Sequence, residues 1–308
     1  MKITALRSDK IYGKIIKATP DEKLELYRQE MMRPFMEKWE IQQIPFKSSE
    51  PNGFDVIMMN NFMNLSPTDI IPDIYGELAA ISSEQFWQDC HEAVTTSLSS
   101  FLKNGIELSI SEYLYTILLG DANSPTLTIN EGICGDGGIP GYIIATMTPN
   151  EYTLPRIKSV LAHECNHNVR YQFIQWDNSI TLGEMVVSEG LAENFATSMY
   201  GDELLGPWVA KTSMETLNTQ NKPKIKDQLN VTGFDKINPY LYGDEIAKMQ
   251  NFNPVGMPYA SGYACGYYLI QYYLNKTGKS TTEATITPAA TILAETKGFW
   301  NEKTIIHS

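Results

Sequence analysis

The residues best suited to chemistry in this chain are His163 and His167, which stand four positions apart with Glu164 directly after the first. On a helix, positions i and i+4 lie on one face, so both imidazoles can bind one metal ion. Glu164 lies about 100° round the helix from His163, near the side of the metal that stays open to water. With only 4 histidines in 308 residues, chance rarely produces this H-E-x-x-H pattern. The spacing indicates a metal site with a carboxylate base.

A catalytic zinc site needs a third protein ligand and keeps its fourth position for water. A metzincin would place a histidine six residues after the second one, but that position is Phe173, so this class is excluded. No histidine stands between His167 and His307, which leaves a carboxylate or a residue at the far end of the chain. Carboxylates are present on the next predicted helix.

That helix carries three glutamates. Glu184 follows Thr181 in a capping box, in which its carboxylate reaches back to a free backbone N–H, so its predicted role is structural. Glu189 and Glu193 fall on the apolar stripe, where a carboxylate needs a partner. We predict Glu189, 22 residues after His167, as the third ligand. Glu193, one turn later, is predicted to accept a hydrogen bond from a ligand histidine. The alternative for this pair is a solvated helix face.

Two helices must position these side chains, and both have clear sequence signals. Thr153 and Pro155 predict the start of the first, which continues to near Trp176. The second begins after Thr181 and ends at Gly201. Gly190 in its middle costs about 1 kcal/mol relative to alanine, which is reasonable if another helix approaches closely there.

A glycine-rich segment, residues 132–141, is a predicted turn that comes before the first of these helices and runs into an apolar, β-branched stretch, Tyr142–Met147. It predicts either an ordinary hairpin or an edge strand to which a bound peptide adds as another strand. Further predicted elements are helices at Ser83–Lys103 and Ser261–Lys276, strands at Phe54–Met59 and Thr126–Asn130, one or two strands within Ile106–Leu119, and a turn at Pro51–Gly53.

The composition limits the partners and the location. A net charge of −12 and a pI near 4.9 argue against binding to nucleic acid or to an anionic membrane, because both require excess Lys and Arg. The N-terminus lacks an apolar signal region, and no stretch of about eighteen apolar residues can span a bilayer. The four cysteines are widely spaced, which favours reduced thiols in a cytoplasmic protein over two disulfides.

Three stretches together carry a family resemblance: HECNHNVR, then TLGEMVVSEGLAENF, then SGYACGYYLIQYYLNKTG. They resemble a poorly characterised bacterial family of predicted zinc-dependent proteases, and the two helices resemble those of gluzincins, the thermolysin-like zinc peptidases. The likeness spans residues 110 to 300. It implies zinc held by His163, His167 and Glu189, with Glu164 as general base. It also implies an α+β fold of the thermolysin-like zincin type, with a small mixed sheet and the H-E-x-x-H helix in one lobe and a mainly helical second lobe.

The corresponding domain prediction has three parts. Residues 1–105 form a helical or α+β N-terminal region, which either gates the site or extends the core. Residues 106–176 form the upper lobe, with the sheet and the H-E-x-x-H helix. Residues 177–308 form the helical lower lobe with the third ligand. Residues 106–308 together are predicted to be one catalytic domain.

The chain departs from thermolysin at two points. Glu193 stands where an aspartate is usual, and no downstream histidine is available to stabilise the oxyanion. We predict Tyr263 for that role, with Tyr259 as its rival and core packing as the alternative for both. The predicted function is zinc-dependent hydrolysis of a peptide or protein substrate, with Glu164 moving the proton. The alternatives are a non-catalytic protein with a structural or sensory zinc, and a zinc hydrolase of a non-peptide amide or ester.

Overall fold

The computed structural model describes residues 1–50, 53–177 and 179–305. His307 and most of the turn predicted at Pro51–Gly53 lie outside the described residues. By its internal contacts the chain divides into two compact units. The first contains Met1–Thr96 and Ser109–Glu164; the second contains Ser97–Leu108 and the chain from Cys165 onward. The predicted α+β class is confirmed, whereas the division into residues 1–105, 106–176 and 177–308 stays a prediction.

The first unit contains one mixed sheet of four strands, in the order β1-β2-β4-β3. The strands are β1 Lys2–Ala5, β2 Glu112–Leu119, β3 Ile133–Asp136 and β4 Tyr142–Met147. β2 pairs in parallel with β1 and β4, whereas β3 is antiparallel to β4, with Cys134 opposite Thr146. The apolar run β4 is therefore an inner strand, and β3, formed by the glycine-rich segment, is the edge strand beside it, with β1 at the opposite edge. Burial explains this order, because nearly all of β4 is buried while β3 is only partly so.

The helices of the first unit are mostly short. They are α1 Ser8–Ile15, α2 Pro20–Leu26, α3 Met36–Ile41, α4 Val56–Asn60, α5 Tyr75–Ile81, the first part of α6 Glu84–Lys103, α7 Pro125–Ile129 and the first part of α8 Thr153–Phe173. A π-helical turn, Tyr27–Met32, and a 3-10 turn, Arg33–Phe35, connect α2 to α3. α6 and α8 match their predicted ranges closely, and both contain residues of the two units.

The strands predicted at Phe54–Met59 and Thr126–Asn130 are wrong, because these runs form α4 and α7. At α4 the Asp55 carboxylate accepts hydrogen bonds from two backbone N–H groups of the first turn. At α7 the hydroxyl of Ser124 does the same for one N–H, and Pro125 occupies the first helical position. A short apolar run fits both a strand and a helix, so the cap in front of it decides.

The second unit is helical. From Cys165 onward it contains the rest of α8, then α9 Leu182–Tyr200, α10 Pro207–Ala210, α11 Met214–Thr216, α12 Lys222–Lys226, α13 Phe234–Leu241, α14 Asp244–Met249, α15 Ser261–Thr277, α16 Thr281–Thr285 and α17 Ala289–Glu295. Its core surrounds α9 and α15, which cross at Gly190 and Gly266. A Cβ atom on Gly190 would stand 2.1 Å from the carbonyl oxygen of Gly266. The close approach predicted from Gly190 is confirmed.

Two further observations concern membranes and cysteines. Within residues 1–50, 53–177 and 179–305, none of the helices has the length and apolar character that crossing a membrane requires. The four cysteines, Cys90, Cys134, Cys165 and Cys265, are free thiols, as the sequence predicts.

Candidate metal centre

Three side chains that can bind a metal come together where α8 meets α9. His163 and His167 lie one turn apart on α8, and Glu189 lies on α9. One ligand atom from each lies within 4.8 Å of the other two, and His167 Nε2 is 3.2 Å from Glu189 Oε2. All three residues are at most 7% exposed. The structure thus brings together the three residues that the sequence singles out as ligands.

This set of donors fits zinc. Zinc takes imidazole nitrogens and carboxylate oxygens at about 2.1 Å in a tetrahedron, which separates neighbouring ligand atoms by about 3.4 Å. The distance between His167 and Glu189 agrees with this spacing. A buried carboxylate surrounded by two imidazoles is costly without a cation, and a metal ion offsets that cost. Two histidines and one glutamate also leave one tetrahedral position for water, which is the composition of a catalytic site.

Ser188 and Tyr171 hold the ring of His167. The Nδ1 atom of His167 is 3.2 Å from the Ser188 hydroxyl, which is 2.8 Å from the hydroxyl of Tyr171. The Tyr171 ring is stacked on the imidazole, with centroids 6.0 Å apart and planes at 10°. Burial raises the pKa of Tyr171, so its hydroxyl stays neutral. Since Nδ1 is engaged by Ser188, Nε2 is the nitrogen available to a metal. Sequence reasoning missed Ser188; a polar residue directly before Glu189 on an apolar helix is its only signal.

Glu164 is held by the glycines at the end of β3. Its Oε2 accepts a hydrogen bond of 2.7 Å from the N–H of Gly137. A Cβ atom on Gly135 would stand 2.5 Å from the Glu164 side chain, and one on Gly137 would stand 2.3 Å from its backbone oxygen. Both positions therefore require glycine. Sequence reasoning assigned these glycines to a turn, although glycines two apart on a strand face the same side and signal a close neighbour there.

Arg170, one turn after His167, is fully buried and connects α8 to two other segments. Its guanidinium donates to Glu184 Oε1, and its Nη1 donates to the carbonyl oxygens of Thr285, at 2.7 Å, and Thr287, at 3.0 Å. The capping box predicted for Glu184 is only half right. Thr181 accepts the hydrogen bond from the Glu184 N–H, at 3.1 Å, but the Glu184 carboxylate is directed to Arg170. Glu184 thus has a structural contact, but it is an ion pair with Arg170 that the sequence did not indicate.

The carboxylate of Glu193 is buried on α9, one turn after Glu189. One oxygen accepts the N–H of Gly206, at 2.6 Å, and the other accepts the indole N–H of Trp208, at 2.7 Å. Glu193 therefore lies inside the unit and not on a solvated face. The hydrogen bond predicted from a ligand histidine to Glu193 stays a prediction.

The two tyrosines considered for the oxyanion are half-buried. The ring of Tyr263 packs against those of Trp208 and Tyr242, with centroids 6.3 and 5.7 Å away. The ring of Tyr259 lies 5.3 Å from the ammonium of Lys211. Tyr263 thus contacts the same indole that binds Glu193, and its catalytic role stays a prediction.

Comparisons with known proteins agree with this site. The family described as "Predicted Zn-dependent protease (DUF2268)" matches residues 86–294. The uncharacterized protein YjfC of Bacillus subtilis strain 168 is 34% identical over 285 residues, which are 92% of this chain and 94% of YjfC. The uncharacterized protein YjaZ of the same strain is 24% identical over 138 residues, 44% of this chain and 49% of YjaZ. No solved structure gives a significant match. The chain therefore belongs to the family described as predicted Zn-dependent proteases, and its buried His163, His167 and Glu189 fit the zinc of that description.

Proposed function

We propose that the protein is a zinc peptidase of the gluzincin type, with a thermolysin-like arrangement of its site. His163, His167 and Glu189 would hold the zinc, and Glu164 would be the general base. The observation that carries the proposal is that Glu164 is fixed on the metal helix, beside the ligands, by the N–H of Gly137. A closed structural zinc site uses four protein ligands and has no need of such a carboxylate.

Each group then has a distinct task. Zinc, when bound, supplies a Lewis acid that lowers the pKa of water and polarises a carbonyl. Glu164 accepts the proton of the attacking water and later delivers it to the leaving amine. The N–H of Gly137 fixes the rotation of this carboxylate without removing its charge. Ser188 keeps the ring of His167 in one orientation throughout the reaction.

The substrate that fits this proposal is a peptide that adds to β3. This strand is the last of its sheet, and within the described residues its ladder partner is β4 on one side. An extended peptide can pair with the other side through its main chain. Gly135, in the middle of β3, lies directly against Glu164. A paired peptide would thus have its backbone beside the general base.

Tyr263 is our proposed donor to the carbonyl oxygen that becomes negative during attack, and Tyr259 is the alternative. A phenol hydroxyl with a half-buried ring can supply such a hydrogen bond without adding charge. For the location we propose the cytoplasm, because four free thiols suit a reducing compartment.

The experiment that tests this function compares the purified protein with its Glu164→Gln variant. Metal content is measured by mass spectrometry, and cleavage is measured on a mixed peptide library. Glutamine keeps an oxygen for the Gly137 N–H but cannot accept the proton, so we expect unchanged zinc and a loss of cleavage of about 10²- to 10⁴-fold. Glu151→Gln, at an exposed position just before α8, is the control and should retain full activity.

Four outcomes would reject parts of the proposal. Undiminished hydrolysis in Glu164→Gln would exclude Glu164 as the base. Stoichiometric zinc with no cleavage of any peptide would favour a non-catalytic protein with a structural or sensory zinc. Cleavage of non-peptide amides alone would favour a zinc hydrolase of a non-peptide amide or ester. For the ligand assignment, Glu189→Gln is expected to lower zinc content more than Glu184→Gln does, and the reverse order would show that Glu189 is not the third ligand.

A further inference from the structure

Lys38, in the middle of α3, is a fully buried lysine of the first unit, and it forms an ion pair. Its side chain is completely inaccessible, and its Nζ lies 2.5 Å from Asp136 Oδ2. Removing an ammonium from water is expensive and is offset only by a well-placed anion. Such a pair between residues 98 positions apart in the chain restricts where Asp136 can be.

Asp136 is the last residue of the edge strand β3, and its carboxylate has several partners. Besides Lys38, it accepts a hydrogen bond of 3.3 Å from the N–H of Gly138, and the side chain of Gln42, directly after α3, also favours its ionised form. Desolvation opposes ionisation of Asp136, but Lys38, the N–H of Gly138 and the side chain of Gln42 together outweigh it, so the pKa of this carboxyl lies below its ordinary value. The Asp136 carboxylate is thus ionised at neutral pH.

Helix α3 is also attached to the sheet next to β3. The hydroxyl of Tyr142, the first residue of β4, donates to Glu37 at 2.6 Å. The ring of Tyr142 lies 6.0 Å from that of Phe35, directly before α3. α3 is therefore attached both to the start of β4 and to the end of β3, and Lys38 is the residue that connects it to Asp136.

The residue directly after Asp136 is Gly137, whose N–H holds Glu164 at 2.7 Å. The two backbone positions are separated by one peptide unit, which is planar and rigid. A displacement of the Asp136 backbone consequently moves the N–H of Gly137, and the ion pair with Lys38 restrains that backbone through the short Asp136 side chain. Because Cβ atoms do not fit at Gly135 or Gly137, the β3 backbone and Glu164 are already in close contact, and a small shift changes the orientation of Glu164.

We propose that Lys38 is a positioning residue that acts through Asp136 and Gly137 to fix the orientation of Glu164. This inference rests on the proposed function, because it assigns Glu164 as the general base. It also gives the N-terminal residues a task in catalysis: the α3 region supplies the cation that fixes the end of β3. Lys38 itself takes no part in binding substrate or zinc.

The test uses the full-length protein with Asp136→Asn, and with the double substitution Lys38→Met/Asp136→Asn. The single variant leaves an unpaired buried cation and is expected to lose stability. The double variant removes both charges, so its stability should recover towards that of the wild type. If the pair positions Glu164, kcat should be about 10- to 100-fold lower in both variants, with KM and zinc content close to wild type.

A second readout does not depend on activity. Hydrogen–deuterium exchange of the zinc-free protein reports on the peptide that contains Gly137, whose N–H is protected by Glu164. Exchange there should be faster in both variants, while the α9 peptides exchange at the wild-type rate. Lys158→Met is the matched control. Lys158 lies on the metal helix and forms a partly exposed ion pair of 3.4 Å with Asp89. Its replacement should change neither kcat nor the exchange at Gly137.

The possible results separate the two proposals. A double variant that regains wild-type kcat together with its stability would show that the pair is merely structural and overturn the inference. Unchanged exchange at Gly137 in both variants would overturn it as well. If the wild type cleaves no substrate, the proposed function fails, whereas faster exchange at Gly137 would still support the link from Lys38 to Glu164.

Discussion

Replacing Gly190 with alanine is expected to weaken both the fold and zinc binding. The new Cβ would stand 2.1 Å from the carbonyl oxygen of Gly266, whereas ordinary contact begins at 3.4 Å. Both atoms belong to helix backbones, so α9 and α15 must separate by about 1 Å, and overpacking of this kind costs about 1–3 kcal/mol. Alanine gains about 1 kcal/mol over glycine inside a helix. Because backbone atoms cannot rotate away, we expect the upper end of that cost and a net loss of about 2 kcal/mol.

The control for Gly190→Ala is the same substitution at Gly13. Gly13 lies inside α1, and a Cβ there meets nothing within 4 Å, so Gly13→Ala is expected to stabilise by up to about 1 kcal/mol. Urea unfolding of the zinc-free proteins measures both effects. Since Glu189 directly precedes Gly190, the displaced helix should also reduce zinc affinity, which chelator competition measures. Two variants that shift stability in the same direction by the same amount would refute the close-contact argument.

Two further predictions concern Asp55 and Ser188. The pKa of Asp55 is below its ordinary value because backbone N–H groups and Arg28 outweigh the effect of burial. Its ionised form therefore stabilises the fold above the ordinary pKa, and this contribution is lost as the pH falls through the lowered pKa. Urea unfolding should show Asp55→Asn less stable than the wild type at pH 7, by an amount that shrinks as the pH falls below the ordinary pKa, and a difference that stays constant with pH would contradict this. Ser188→Ala frees Nδ1 of His167 and is expected to lower zinc affinity by about 10- to 100-fold in chelator competition; Ser198→Ala, exposed on the same helix, should leave it unchanged.

The candidate metal ligands were predictable because their chemistry is local in the sequence. His163 and His167 stand at the spacing of one helical turn, so their convergence follows from helix geometry alone. Glu189 required one more step, namely that an acidic residue on an apolar helix face needs a cation. In all three cases the side chain that performs the task is itself the signal.

The backbone contacts that hold Glu164 were not predictable in this way. Gly135 and Gly137 act through the absence of a side chain, and their contact with Glu164 depends on how β3 is placed in the sheet. The contact of Lys38 is harder still to predict, since Lys38 reaches Asp136 from a part of the chain 98 positions away. Long-range contacts leave no periodic pattern in a single sequence. The two wrong strand predictions have another cause, because a cap of one residue outweighs the β propensity of a five-residue run.

Helix α9 has almost no side facing solvent: between Leu182 and Thr197 every residue except Glu184 is buried. A helix of this kind is not stable until the neighbouring helices have formed, because its intrinsic helix propensity does not offset the exposure of so much apolar surface. Glu189 therefore reaches its position only when α15, α16 and α17 have assembled around α9. We therefore expect a partly folded chain to present two histidines without the carboxylate and to bind zinc weakly. In this sense we expect metal uptake to be a late event in folding, so that retention of zinc reports on completion of the second unit.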